Sequence, residues 1–275
     1  MVEFTKYQGN GNDFIIINRL IHEISDPIAL AKAICHRQYG FGADGLLLLE
    51  ASNPTSYRME VINADGSIAN MCGNGLRCLA AYIHDEGLLT DEEFFIETRI
   101  GKRKVRLLDD RMVQIEFEPA RFDAHDLAIN SDVNTIIDQP MIVDRRLLTL
   151  SVLKVDVLHT VVLVPSLQEI PVDRLGKQIS ELPLFPNRTN VNFVEVIDPQ
   201  RIRVRTYERG VGPTFSCGTG VVASSVITYR LGKTKEVLEV ETLGGPLTVE
   251  LTPERLYLTG PVSRIGKGYF EWNFQ

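Results

Sequence analysis

Apolar positions along this chain recur mainly in short alternating runs, the period of a strand with one face turned inward. Val113, Ile115 and Phe117 alternate with polar residues, as do Ile202, Val204 and Thr206, and later Leu247, Val249 and Leu251. Turn-forming clusters punctuate them, including Asp109-Asp110-Arg111, Gly244-Gly245-Pro246 and Thr252-Pro253-Glu254. Four segments have the period of a helix instead. One opens on Asp26-Pro27, an N-cap and a residue suited to the first turn, and carries Leu30 and Ile34 on one face. A second follows Pro171 with Leu175 and Ile179. The other two are more apolar. Leu76, Leu79, Ala80 and Ile83 make an i, i+3, i+4, i+7 stripe ending near Gly87, and Val222, Ala223, Val226 and Ile227 do the same before Gly232. Arcs that wide predict helices embedded against their own sheets. The stretch from Pro119 to Arg146 shows few such patterns and reads as a connection between two halves.

The order of elements repeats, and so do individual residues at a spacing of 145 positions. That offset superposes Leu30 on Leu175, Lys32 on Lys177, Ile34 on Ile179, Glu50 on Glu195 and Arg58 on Arg203. It continues through Cys72 on Cys217, Gly73 on Gly218, Gly75 on Gly220 and Gly87 on Gly232. Average composition would give about four chance identities over such a stretch. Beyond the helix the offset slips to 144, pairing Glu97-Thr98 with Glu241-Thr242 and Arg111 with Arg255. The chain therefore reads as a duplicated module, an α/β (α+β) protein of two pseudo-symmetric domains, and not as a short-period solenoid.

The duplication places a cysteine at the start of each apolar helix, in Met71-Cys72-Gly73-Asn74-Gly75 and in Ser216-Cys217-Gly218-Thr219-Gly220. At a helix N-terminus a sulfur meets unpaired N–H groups and the positive end of the dipole, which favour thiolate over thiol. One such cysteine is ordinarily a small buried hydrophobe. Two in matching contexts fit a pair of reactive groups that take a proton from one face of a carbon and return one to the other, the chemistry of racemisation or epimerisation. Backbone N–H groups around Gly73-Asn74 and Gly218-Thr219 are then suited to grip a carboxylate where enolate charge develops, each worth about 3–4 kcal/mol of barrier. No phosphate-cradling glycine loop with a Schiff-base lysine is evident, so no cofactor is expected. Cys35 and Cys78 read as structural. Cys72 and Cys78 are six apart without further ligands at zinc spacing, so no metal site is expected.

Bulk properties narrow the class. The 275 residues are 44% hydrophobic and 24% charged, with a net charge of −7 and no long Lys/Arg run, which argues against nucleic acid as a partner. No apolar segment reaches membrane-spanning length, and Met1-Val2-Glu3-Phe4 does not open a signal peptide. Four cysteines in a chain this long are no disulfide framework. A cytoplasmic enzyme acting on a small molecule is the expectation.

At these motifs the chain resembles the diaminopimelate epimerase family, whose members use two catalytic cysteines without a cofactor. The likeness runs over essentially the whole length. Gly11-Asn12-Asp13-Phe14 resembles the family's opening motif. Asn63-Ala64-Asp65-Gly66-Ser67, then Cys72-Gly73-Asn74-Gly75 and Arg77-Cys78, resemble its first cysteine block. Asn190-Val191 with Phe193, Tyr207-Glu208-Arg209-Gly210 and Cys217-Gly218-Thr219-Gly220 resemble the second, with Ser216 where Ala is usual. The resemblance implies two domains, each a mostly antiparallel sheet wrapped around a central helix, with residues 1–120 completed by the C-terminal 262–275 and residues 121–261 forming the second. It implies Cys72 and Cys217 as the acid/base pair, Gly73, Asn74, Gly218 and Thr219 around the reacting carboxylate, and His159 as a supporting residue. Asn12, Asn63, Asn190, Glu208 and Arg209 are implied for the substrate's distal amino acid end, and a homodimer is expected. Arg209 suits a carboxylate and Glu208 an ammonium.

Three departures bear on the substrate. Asp156-Val157-Leu158-His159 stands where the family has Gly-Asn-Pro-His, so Val157 replaces a substrate-contacting Asn; Gly45 stands where many members have Gln, and Pro213 where Glu is common. The expectation is epimerisation of LL-diaminopimelate to the meso form; the alternative is racemisation of another amino acid, such as histidine, by the same pair. A non-catalytic amino acid binding protein fits less well, because both cysteines are present with their glycines.

Overall fold

A computed structural model describes residues 1–53 and 56–272. The chain forms two compact units, one of Met1–Ile115 with Thr259–Gln275, the other of Glu116–Leu258. In the first, β1 (Val2–Gly9) and β2 (Asn12–Asn18) lead to α1 (Pro27–Ile34), then β3 (Gly45–Asn53), β4 (Ser56–Asn63) and β5 (Ile68–Ala69). Helix α2 (Gly73–Asp85) follows, then β6 (Glu93–Thr98), β7 (Gly101–Leu107) and β8 (Met112–Phe117). The second unit holds α3 (Ala124–Leu127), β9 (Gln139–Val143), β10 (Arg146–Val155), β11 (Val157–Leu163) and α4 (Val172–Ser180). It continues through β12 (Asn190–Asp198), β13 (Arg201–Glu208), β14 (Gly212–Thr214), α5 (Gly218–Arg230), β15 (Val237–Thr242), β16 (Gly245–Leu251) and β17 (Leu256–Pro261). The last strand, β18 (Ser263–Phe270), returns to pair antiparallel with β1.

The two units share one pairing scheme. In the first, β1–β2 is antiparallel, β2–β3 parallel, β3–β4 and β4–β5 antiparallel, β4–β6 parallel and β6–β7 antiparallel. In the second, β10–β11, β11–β12, β12–β13, β13–β14, β13–β15 and β15–β16 follow the same sequence of senses. Each parallel pair requires a crossover, which α1 and α2 provide in one unit and α4 and α5 in the other. Registers match as well. Glu50 opposes Arg58 and Glu195 opposes Arg203, while Arg58 lies beside Glu97 and Arg203 beside Glu241. Thr98 Oγ1 donates to Gly101 O and Thr242 Oγ1 to Gly245 O, both at 2.7 Å.

Local signals fix the helices as expected. Asp26 caps α1, its carboxylate accepting from Ala29 N at 2.9 Å, with Pro27 at the first position. Leu30 and Ile34, and their counterparts Leu175 and Ile179, are fully buried. So are Leu76, Leu79, Ala80 and Ile83 of α2, whereas Val226 of α5 is half-exposed and Ser224 and Ser225 are buried in its place. Those serines donate to the carbonyls of Gly220 and Val221 at 2.7 and 2.9 Å, which lets a polar face sit in the core.

Two features differ from the alternation read in the sequence. Phe14 to Ile17 of β2 and Leu46 to Leu49 of β3 are all buried, because these strands are covered on both faces: Ile15, Ile17, Leu46 and Leu48 meet α1, and α2 packs against the same strands. The segment 119–146 is also more than a connection. It belongs to the second unit, where β9 pairs with β10 and Leu127, Ile136 and Val143 join the core around Leu175 and Phe193.

Candidate active site

Each cysteine is the N-cap of its helix. Cys72 has extended φ/ψ of −138°/116°, its carbonyl accepts from Leu76 N at 2.8 Å, and its Sγ accepts from Gly75 N at 3.4 Å. Cys217 has φ/ψ of −116°/110° and its carbonyl accepts from Val221 N at 2.9 Å; its Sγ lies 3.6 Å from Thr219 Oγ1. The helix-end field favours a thiolate at both. Cys72 is half-buried and Cys217 buried. The remaining thiols are unsuited to such a role, since burial pushes both Cys35 and Cys78 up to about 12.

A polar chain runs behind Cys72. Asp44 accepts from Asn12 Nδ2 at 2.6 Å, and Asn12 Oδ1 faces both Cys72 Sγ, at 3.7 Å, and Asn74 Nδ2, at 3.3 Å. Asn74 Oδ1 accepts from Arg77 Nη2 at 2.9 Å, and Arg77 Nη2 also donates to Asn10 Oδ1 at 2.6 Å. Both amides are fixed in orientation, because a carboxylate only accepts and a guanidinium only donates. Asn63 ends β4 apart from this chain, its Nδ2 donating to Ser67 Oγ at 2.9 Å across the turn that carries Gly66 at φ +88°.

In the second unit, Asn190 positions Arg209. Its Oδ1 accepts from Arg209 N at 3.0 Å, and Arg209 Nη1 donates to Asn187 O at 3.1 Å. Glu208 does not pair with Arg209; its carboxylate accepts from Thr214 Oγ1 at 2.7 Å, and burial raises its pKa. Among the described residues Arg209 makes no ion pair, so it and Glu208 are available to opposite charges. His159 is fully buried. Burial, with Arg209 adding to it, lowers its pKa to about 3, so the ring is neutral at working pH. Its Nδ1 lies 3.2 Å from Asn192 Nδ2 and accepts, which puts the proton on Nε2, a buried nitrogen with no partner among the described residues.

Matching registers make residues of the two units equivalent. Phe14 opposes Gly45 as His159 opposes Asn190, so Val157 occupies the position of Asn12, Asn190 that of Gly45, and Glu208 that of Asn63. The departure at Val157 thus removes from the second unit the amide that approaches the cysteine in the first. At Gly45 a Cβ would stand 3.0 Å from Ile62 O, so a side chain there is crowded by backbone. Asn10, Asp44 and Asn192 were assigned no role from sequence. Arg77 had one visible signal: a charged residue within the apolar arc of a helix.

The fold and the sequence relate the chain to known proteins. Solved structures with the same fold include a probable proline racemase from Agrobacterium radiobacter, at a TM-score of 0.72 and 15% identity over 99% of this chain and 94% of that one. A Bacillus anthracis phenazine biosynthesis protein of the PhzF family matches at 0.71 and 13%, over 97% and 98%. The diaminopimelate epimerase of Caldanaerobacter subterraneus subsp. tengcongensis is 38% identical over 98% of this chain and its own full length, and that of Alkaliphilus metalliredigens 37% over 98% and 97%. The family model for diaminopimelate epimerase matches residues 4–122 and 153–265, covering both cysteine-capped helices. Identity at that level, held from end to end through both repeats, makes the chain a member of the diaminopimelate epimerase family.

Proposed function

We propose that the protein converts LL-2,6-diaminopimelate into the meso form without a cofactor, with Cys72 and Cys217 as the two bases. The observation that carries the reading is the duplicated cap: in each unit a cysteine sulfur stands at the N-terminus of a 13-residue buried helix. One sulfur, as thiolate, takes the α-proton and becomes a thiol. The electron pair left on carbon delocalises into the substrate carboxylate, which the backbone N–H groups of Gly73-Asn74 and Gly218-Thr219 are suited to hold. The second sulfur, as thiol, returns a proton to the opposite face and is left as thiolate. The roles reverse for the back reaction.

Arg209 and Glu208 serve the distal carboxylate and ammonium, and Asn12, Asn63 and Asn190 are assigned to the same distal amino acid end. Glu208 supports this assignment because its carboxylate has lost water without gaining a cation. Asn190 acts by holding the Arg209 backbone. Neutral His159 supports the second unit's site as a hydrogen-bonding group and not as an acid. The proposal places the enzyme in the cytoplasm, in lysine biosynthesis, and as a homodimer, which sedimentation checks. The second reading, racemisation of another amino acid, is favoured by Val157 and Gly45.

The test is incubation with LL-diaminopimelate in D₂O, followed by chiral separation and mass analysis, with L-histidine and aliphatic amino acids in parallel. The expected result is one deuterium at the inverted α-carbon of diaminopimelate. Turnover of another amino acid with equal or higher kcat/KM overturns the substrate while leaving the two-cysteine chemistry standing.

A further inference from the structure

Arg209 has an exposed side chain, yet one short segment holds it at both ends. Asn190 Oδ1 accepts from its backbone N–H at 3.0 Å, and the carbonyl of Asn187 accepts from its Nη1 at 3.1 Å. Between those two residues Arg188 has φ +58°, a left-handed conformation that a non-glycine residue keeps only where its surroundings over-determine it. The next residue, Thr189, is fully buried and fixed by a single hydroxyl. Ser180 Oγ, on the last residue of α4, donates to Thr189 O at 2.6 Å and accepts from Thr189 N at 3.3 Å. Ser180 is itself buried, so water does not compete for either bond. Thr189 Oγ1 accepts from Thr160 Oγ1 at 3.2 Å and donates to Asn190 O at 3.1 Å. The earlier half of the connection 181–189 is anchored separately. Asn130 donates through N to Leu184 O at 2.9 Å and through Nδ2 to Pro183 O at 3.0 Å, and Phe185 is buried in the core. Ser180 ties down the later half, where Arg209 is held.

The same helix lies against the strand that leads to Arg209. A Cβ at Gly176 would stand 2.4 Å from Tyr207 Cβ, so α4 approaches β13 closely two residues before the arginine. The repeat supplies an internal comparison. At the 145-residue offset Cys35 stands for Ser180, Asp44 for Thr189, Gly45 for Asn190 and Ala64 for Arg209. The unit that lacks the arginine lacks the serine and the asparagine as well. We infer that Ser180 is a positioning residue for Arg209, clamping Thr189 and so placing the Asn187 carbonyl and the Asn190 amide that hold the arginine. The inference rests on the reading that Arg209 binds the substrate's distal carboxylate, and it adds how the ligand-free enzyme keeps that side chain ready. A long exposed side chain loses rotamer freedom when it binds, and ordering it beforehand lowers that loss. The distal end does not react, so the contribution is uniform binding, which lowers KM and leaves kcat in place.

The experiment has two arms. The first is hydrogen exchange of the ligand-free protein, read by NMR at the Arg209 amide. In Ser180→Ala that N–H should exchange at least about tenfold faster than in wild type, while amides within α5 keep their rates. The second is a double-mutant cycle on turnover of LL-diaminopimelate. Ser180→Ala alone should raise KM about fivefold to tenfold with kcat within about twofold, the scale of one buried hydrogen bond. In an Arg209→Ala background the same change should move kcat/KM by less than about twofold, because no guanidinium is left to place. A general loosening of the fold would reduce kcat/KM equally in both backgrounds, and that result overturns the inference. An unmoved Arg209 amide in folded Ser180→Ala overturns it too. Exchange reads placement without turnover, so its failure is distinct from failure of the substrate reading; an unchanged kcat/KM in Arg209→Ala would overturn that reading, and the clamp's role in binding with it. If Ser180→Ala does not fold, Ser180→Cys takes its place in both arms. It carries the residue of the other unit at this position, a weak hydrogen-bonding group of similar size.

Discussion

Gly75 and Gly220 hold the same place in the duplicated motif, yet alanine should be tolerated at one and not at the other. Neither has positive φ, so the backbone admits a side chain at both, and the neighbours decide. A Cβ at Gly75 would stand 3.1 Å from Leu47 Cδ2, the end of a side chain that can turn aside by a few tenths of an ångström. A Cβ at Gly220 would stand 2.2 Å from Asn192 Oδ1. Asn192 is fully buried and cannot retreat without loss: its Oδ1 accepts from Thr206 Oγ1 at 2.9 Å, and its Nδ2 meets His159 Nδ1 at 3.2 Å and Thr160 O at 3.4 Å. Each buried partner stranded costs about 1–3 kcal/mol, and alanine regains up to about 1 kcal/mol in a helix. Gly220→Ala should therefore cost roughly 2–5 kcal/mol and lower Tm by about 5–15 °C. Gly75→Ala should stay within about 1 kcal/mol of wild type, its mild crowding set against the helix gain. Calorimetry of the two purified variants, with epimerase turnover, makes the comparison. Equal losses, or a Gly220→Ala protein that melts within about 2 °C of wild type, would refute the argument that Asn192 is pinned.

Replacing Cys72 or Cys217 with Ala should abolish epimerisation, while Cys35→Ala and Cys78→Ala should retain turnover in an assay at matched folded fraction. Glu208 is raised by burial, so the folded state holds its proton more tightly than the unfolded chain and stability falls as pH rises through the carboxylate range. Glu208→Gln should accordingly raise Tm at neutral pH while lowering kcat/KM for diaminopimelate; a lower Tm in ligand-free protein would count against an uncompensated carboxylate. His159 is lowered to about 3 by burial and by Arg209, so the unfolded chain takes its proton first and stability is lost as pH falls below the ordinary value near 6.5. Melting curves between pH 7 and pH 5 should be flatter for His159→Gln than for wild type. Asn190→Ala frees the Arg209 N–H and should lower kcat/KM about tenfold, read from initial rates, with little change in fold.

The elements that depend on neighbours in sequence are legible in the order of residues alone. Asp26-Pro27 caps and opens a helix through atoms within three residues, and the stripe at Leu76 states which face is buried, whereas the stripe at Val222 misses the buried Ser224 and Ser225 and includes the half-exposed Val226. The duplication is legible because each copy preserves the same short signals, and Glu50 with Arg58 and Glu195 with Arg203 prove to be cross-strand partners. The continuous burial of Phe14 to Ile17 is decided by a second helix on the far face, about sixty residues downstream. Glu208 and Arg209 read as a pair of adjacent charges, but Glu208 is the last residue of β13 and Arg209 the first of the turn after it, and one meets Thr214 while the other meets Asn187. Gly75 and Gly220 are indistinguishable in the motif and differ only in what packs against them. Arg77 stands in plain view within an apolar stripe, and only the tertiary structure shows that its guanidinium is fully buried and donates to Asn10 and Asn74. Short-range chemistry is written in the order of residues; which side chains are buried, and what they meet there, depends on which distant strands and helices close around them.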